Sequence, residues 1–138
     1  EGPAIVQYVA DQNPGSGLAP AAGTIERYRL QEWLNFISTE IHKQFSPLFN
    51  PASTDEVKEA ARAKLSSRFE WLDAQLAGKS YLMGERFTVA DGYLFTVLNW
   101  ASRVKVDLSN RPNLTAYHAR VGARPAVQAA MRAEGLIS

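Results

Sequence analysis

The chain has 138 residues, 46% apolar and 21% charged, with a formal net charge of +1. That length supports one domain with a real core, and the near-balanced charge implies neither nucleic acid nor an acidic membrane surface as a partner. There is no cysteine and there are two well-separated histidines, which excludes disulfides, thiolate metal sites and a cysteine nucleophile within these residues and leaves no metal site expected. No apolar run approaches the ~20 residues needed to cross a bilayer.

The first three residues, Glu1-Gly2-Pro3, read as a helix start. Proline is favoured at the first helical position, where its missing N–H costs nothing. That places Gly2 at the N-cap, with Ile5, Tyr8 and Val9 as an apolar stripe. A helix start beside a glutamate suits a zwitterion, its carboxylate on the helix N–H groups and its ammonium on Glu1. The plainer role of Glu1 is to stabilise the helix dipole, by roughly 0.3–1 kcal/mol. Such an element normally sits inside a domain, so the chain reads as the back part of a longer protein.

Asn13 to Gly23 is rich in Pro, Gly, Ser and Ala and reads as a linker. From Thr24 to Phe45 the apolar positions Leu30, Leu34, Ile37, Ile41 and Phe45 are spaced by 4, 3, 4 and 4, one face of a helix. Pro47 is expected to kink or end it. Ser53 with Glu56 has capping-box spacing, and Val57, Ala61, Leu65, Phe69, Leu72 and Leu76 trace a second long amphipathic helix stopped at Gly78. Thr88 and Asp91 form another box, before a segment, Val89 to Ala101, that is apolar on nearly every side. A helix apolar all round belongs in the centre of a bundle. Pro112 and Pro125 open two further helices, the last stopped near Gly135. No segment reads as a strand, so the expected fold is all-α.

Asn35, Ser38, Thr39, His42 and Lys43 are the strongest candidate set for chemistry. Asn35 and His42 are seven apart, two turns on one face of a straight helix. Histidine can donate to a thiolate or oxyanion, and an adjacent lysine adds positive potential. The same set also fits an exposed polar face with a solvated His-Lys pair. Asp91 reads as a cap more readily than as a catalytic acid. Trp33, Trp71 and Trp100 are core candidates, Trp100 having the best case for lining an apolar pocket. His118 reads as surface or core filler. Arg27, Arg62, Arg68 and Arg103 are scattered and support no phosphate site.

Several segments coincide with one family. Glu1-Gly2-Pro3-Ala4-Ile5-Val6-Gln7-Tyr8-Val9-Ala10, Glu32-Trp33-Leu34-Asn35, Thr39-Glu40-Ile41-His42-Lys43, Phe87-Thr88-Val89-Ala90-Asp91 and Arg124-Pro125-Ala126-Val127 resemble bacterial glutathione transferases of the beta class. The Phe-Thr-Val-Ala-Asp box marks the superfamily, and the His-Lys pair after Thr-Glu-Ile is more specific to that class. The resemblance implies residues 1–12 as the last helix of an otherwise absent thioredoxin-like α/β domain, 13–23 as linker, and 24–138 as the all-helical C-terminal domain. It implies glutathione as co-substrate, a hydrophobic electrophile as second substrate, a homodimer and a cytoplasmic location, with no nucleic acid, membrane or metal.

Carried over by position, Glu1 meets the γ-glutamyl ammonium. Gly2 stands where a serine often meets the γ-glutamyl carboxylate, so only the backbone N–H and helix dipole remain there. Asn35, His42 and Lys43 approach glutathione and its sulfur, His42 and Lys43 as donors favouring the thiolate. Phe45, Phe49 and Trp100 lie near the electrophile pocket. The implied activity is conjugation of glutathione thiolate to hydrophobic electrophiles, with this chain supplying the electrophile-pocket domain and having little activity by itself. Dehalogenation and peroxide reduction are related possibilities. A non-catalytic interaction or ligand-binding module is the competing reading, disfavoured by the presence of both Glu1 and the His42-Lys43 pair.

Overall fold

In the computed structural model, which describes residues 1–138, the chain is helical throughout and contains no strand. The helices are α1 (Gly2–Asp11), α2 (Ile25–Phe36), α3 (Lys43–Phe49), α4 (Asp55–Leu76), α5 (Val89–Leu98), α6 (Pro112–Gly122) and α7 (Pro125–Ala133). A π-helical turn, Ile37–His42, joins α2 to α3 without a break. Short 3-10 turns follow α1 and α5, at Pro14–Ser16 and Ala101–Val104.

The core lies between the α2–α3 rod, α4, α5 and α6. Leu30, Leu34, Ile37, Ile41 and Phe45 of the rod are fully buried, against Leu65, Phe69 and Leu72 of α4 and Leu94, Val97 and Leu98 of α5. Steps of 4, 3, 4 and 4 drift off one face of a regular α-helix, which turns once per 3.6 residues. A π turn closes i→i+5 rings and takes in one more residue. It holds Ile37, Ile41 and Phe45 on the buried side.

Pro47 does not end the rod. It sits inside α3, which runs on to Phe49. The end comes at Asn50, whose backbone is extended (φ −80°, ψ 114°). Asn50 precedes Pro51, and the proline ring disfavours helical backbone at the residue before it.

Three other expectations shift. The N-cap of α1 is Glu1 rather than Gly2, and the Glu1 carbonyl accepts from the N–H groups of Ala4 and Ile5, both at 3.1 Å. Proline's missing N–H is as harmless one position later in the first turn. The Ile5, Tyr8 and Val9 stripe is exposed, and α1 packs inward through Val6 and Ala10 instead. The cap of α4 is Thr54, one residue after Ser53, with its hydroxyl accepting from Val57 N–H at 3.3 Å. The third helical position is then Val57, so no reciprocal glutamate bond forms, and Val57 itself is exposed.

α4 stops after Leu76, followed by Gly78 at φ +71°, a left-handed position that glycine adopts freely. Trp71 is also exposed rather than in the core, forming a surface cluster with Trp33 and Phe36 at ring separations of 4.7–6.1 Å.

The linker is tied down in its second half, at Leu18 and Pro20. The Leu18 carbonyl accepts from Val89 N–H at 2.9 Å, at the start of α5. The Pro20 carbonyl accepts from Arg27 Nε at 2.7 Å. Arg27 is buried and also pairs through its guanidinium with Asp11, clamping the end of α1 to α2. The clamp holds the Asp11 carboxyl below the usual carboxylate range, through the Arg27 hydrogen bond first and its charge after.

Candidate functional site

α5 organises two polar clusters. At its start, the Asp91 carboxylate is completely buried. It accepts from Leu82 N–H (2.9 Å), Thr88 N–H (2.8 Å), the Thr88 hydroxyl (3.1 Å) and the Tyr117 hydroxyl (2.9 Å). The bond from Thr88 N–H closes the helix start, while Leu82 and Tyr117 bring in the loop after α4 and the middle of α6. Burial pushes the Asp91 carboxyl up, and the four hydrogen bonds oppose that. Tyr117 is raised well above its ordinary value, by burial first and then by the Asp91 charge, so it stays a neutral donor. With every oxygen engaged and no solvent access, this cluster is structural.

The second cluster lies on the flank of α5 that meets the π turn. His42 Nδ1 is 2.7 Å from the Tyr93 hydroxyl, and its ring stands edge-on to Trp100 at 4.8 Å and 79°. Trp100 in turn meets Phe45 at 5.7 Å and Phe49 at 5.8 Å, both edge-on. Such T-shaped pairs match the quadrupoles of the rings. His42, Phe45, Phe49 and Trp100 therefore form one aromatic patch. Phe45 is fully buried and backs it, Phe49 is 48% exposed, and His42 and Trp100 are half-buried. Beyond Trp100, an apolar cleft of about 500 Å³ opens between α5 and α7, lined by Phe87, Phe95, Val127 and Met131 among others.

The helix start of α1 approaches the same cluster from the other side. A Cβ built on Gly2 would lie 3.8–3.9 Å from the Tyr93 ring and hydroxyl, ordinary contact distance. The Tyr93 phenol is raised by burial, held back by a hydrogen bond with Ser38, and raised further by the negative charge of Glu1. Tyr93 of α5 thus meets both Gly2 at the start of α1 and His42 at the end of the π turn. Tyr93 is the residue that sequence reasoning missed. Inside an apolar run it looked like core, and only packing shows which polar group its hydroxyl meets.

The remaining candidates separate. Asn35 lines a shallow surface depression with Ile25, Tyr28, Arg29, Gln31 and Glu32. A π turn lies between Asn35 and His42, so the seven-residue spacing of a regular α-helix does not apply between them. The Thr39 hydroxyl donates to the Asn35 carbonyl at 3.0 Å. Lys43 is exposed and makes no ion pair or side-chain hydrogen bond, leaving its ammonium free beside His42. Glu40, two residues before His42, is turned toward α4 and paired with Arg68 at 2.8 Å. His118 is half-buried, bonded through Nε2 to Asn99 Oδ1 at 2.7 Å and stacked on Phe95, and burial lowers its basicity. No group of three or more His, Cys, Asp or Glu side chains is placed to hold a metal ion. No helix is long and apolar enough to cross a membrane.

Comparison with known proteins gives this arrangement a family. The glutathione S-transferase C-terminal domain family matches residues 36–125. Glutathione S-transferase GstA of Escherichia coli O157:H7 is 45% identical over 136 residues, covering 99% of this chain and 68% of that protein. Among solved structures, the ternary complex of the bacterial transferase BphK is 61% identical with a TM-score of 0.96, covering 98% of this chain and 68% of that one. Two sphingomonad transferases are each 49% identical, covering 99% of this chain and 68% of theirs. One is a beta-class enzyme from Sphingomonas chungbukensis (TM-score 0.95) and the other is complexed with glutathione (TM-score 0.94). With the family match spanning most of the helical bundle and bacterial relatives this similar, the chain belongs to the glutathione S-transferase family, of which it carries the C-terminal helical domain.

Proposed function

We propose that the protein is a bacterial glutathione transferase in which His42 and Lys43 face the glutathione sulfur, and that this chain supplies the pocket for a hydrophobic electrophile. The observation that carries this reading is the His42 ring. Its Nδ1 is engaged by Tyr93, which itself lies against Gly2 at the start of α1, and the ring forms one edge of an aromatic patch. A neutral or protonated imidazole N–H and a nearby ammonium both favour a thiolate over a thiol. The thiolate attacks the electrophile, and the apolar patch holds the hydrophobic part of that molecule out of water.

Glutathione fits the start of α1. The N–H groups of a helix N-terminus favour a carboxylate, and Glu1 beside them favours an ammonium. The γ-glutamyl end carries both. With Gly2 in place of a hydroxyl-bearing residue, the backbone and dipole hold the carboxylate alone. Asn35 extends the glutathione contacts along α2. Phe49 and Trp100 present the wall of the electrophile site, with Phe45 behind them.

The relatives extend beyond this chain by about a third of their length. We take residues 1–12 as the closing helix of a thioredoxin-like part, 13–23 as the connection and 24–138 as the helical domain. The exposed Ile5, Tyr8 and Val9 stripe supports this, since it is a face such a part would cover. The same reading takes the protein as a cytoplasmic homodimer. The test is conjugation of glutathione to 1-chloro-2,4-dinitrobenzene by the full-length gene product, beside the 138-residue chain. Turnover by the full-length product that falls on His42→Ala supports the reading. Turnover unchanged by that substitution removes His42 from its role, and no turnover at all overturns the reading.

A further inference from the structure

The hydroxyl of Tyr93 is the only side-chain partner of the His42 ring, and it meets Nδ1 rather than Nε2. Nε2 has no partner, yet it is not sealed in: the single buried, unpartnered side-chain nitrogen or oxygen of the whole chain is Arg111 Nε. One ring nitrogen of His42 is therefore committed inward and the other is open. Which nitrogen of a neutral imidazole carries the proton is set by the bond the other one makes.

Tyr93 has a defined direction. Of the two groups held at 2.7 Å, a phenol O–H is the stronger donor and a bare imidazole nitrogen the stronger acceptor, so the phenol proton goes to Nδ1. Burial and the Glu1 carboxylate both keep that proton on the phenol. The Tyr93 hydroxyl therefore donates to His42 Nδ1, which leaves the imidazole proton on Nε2.

We propose that Tyr93 is a positioning residue that locks neutral His42 in the tautomer with hydrogen on Nε2, so that the ring presents one fixed donor to the glutathione sulfur. The role rests on the transferase reading above, but the tautomer does not. Trp100 holds the ring plane from its other side, so the orientation is set by packing and the identity of the donor by Tyr93. Tyr93 acts through His42 and touches neither sulfur nor electrophile. The π turn is part of the device, because it is the segment that carries both Ser38 and His42 toward α5.

The test is nitrogen-15 NMR of the full chain with labelled histidine. Only two histidines are present, and His118, bonded through Nε2 to Asn99, is an internal control. In the native protein at alkaline pH, where an imidazole is neutral, Nδ1 is expected as the bare, hydrogen-bond-accepting nitrogen and Nε2 as the protonated one. Tyr93→Phe keeps the ring and removes the hydroxyl. It is expected to give an averaged mixture of both tautomers at His42 with His118 unmoved. In the full-length product it should lower kcat about tenfold, the scale of one lost hydrogen bond, with KM for glutathione unchanged. Nδ1 carrying the proton in the native protein overturns the proposal without any variant. So does a His42 tautomer unaffected by Tyr93→Phe. A gene product without transferase activity defeats the functional reading, while the spectra still decide whether Tyr93 sets the tautomer.

Discussion

The two polar clusters on α5 differ in what they leave over. At the start of the helix, Asp91 is sealed from solvent and takes four hydrogen bonds from three segments of the chain. On the flank, His42 takes one hydrogen bond and keeps a nitrogen open at the edge of an aromatic patch. A saturated buried network contributes stability and has nothing with which to bind a substrate. A partly committed ring contributes little stability, and its free donor is what a reacting sulfur needs. One helix supports both because its two faces look at different neighbours, α6 and the loop after α4 on one side, the π turn on the other.

Substitutions at the two clusters should separate cleanly. Asp91→Ala strands buried donors at Leu82, Thr88 and Tyr117, each worth about 1–3 kcal/mol when left unpaired. We expect a loss of about 3 kcal/mol or more by urea unfolding, and a loss under about 1 kcal/mol would show that the network relaxes easily. His42→Ala should do the reverse. It should lower conjugation by roughly ten- to a hundredfold, equivalent to the about 1.5–3 kcal/mol of a hydrogen bond to a charged group, while moving the melting temperature little. Phe49→Ala, at an exposed ring, should raise KM for an apolar electrophile several-fold, on the scale of about 1 kcal/mol, with KM for glutathione unchanged. The caps of α4 give a finer contrast. Thr54→Ala should cost about 1 kcal/mol and Ser53→Ala close to nothing, since only Thr54 accepts from the helix start. Equal losses at both positions would mean the cap lies elsewhere.

Two of the shifted aspartates, Asp91 and Asp11, respond to pH with opposite sign. The Asp91 carboxyl lies above its ordinary value in the fold, so the native state holds that proton more tightly than the unfolded chain. Its contribution to stability falls as pH rises from the usual carboxylate range through the raised value. The Asp11 carboxyl lies below its ordinary value because of Arg27. Its contribution is full above the usual range and is lost as pH falls through the lowered value. On acidification, amide exchange at Val6 and Ala10 in α1 should therefore rise before exchange at Leu94 and Leu98 in α5. Protection lost in the reverse order would break this assignment.

Periodicity made the long helices visible because their apolar faces repeat at helical spacing over many residues, as Ala61, Leu65, Phe69, Leu72 and Leu76 do in α4. The Thr88–Asp91 spacing pointed to a cap because that bond is local. The same local logic missed by one residue at Ser53 and Thr54, where two adjacent hydroxyls offer themselves and backbone geometry selects one. It overrated Pro47, since a proline near the end of a helix removes one bond that packing can replace, whereas Pro51 restricts the backbone of Asn50 directly.

The linear order of residues by itself determined the six helical rods, counting α2, the π turn and α3 as one, most of their starts, the central place of α5 and the likeness to one transferase class. All of these rest on interactions within about one or two turns, or on runs of side chains whose pattern survives without coordinates. Tertiary structure alone decided that a π turn lies between Asn35 and His42, that Arg27 clamps α1, and that Trp71 stays outside. It also decided that Tyr93 faces His42, 51 positions away in sequence. Those outcomes depend on contacts between segments far apart in sequence and, for His42, on the π turn that carries it. Such a turn is chosen by the fit of the whole core, and no local spacing encodes it.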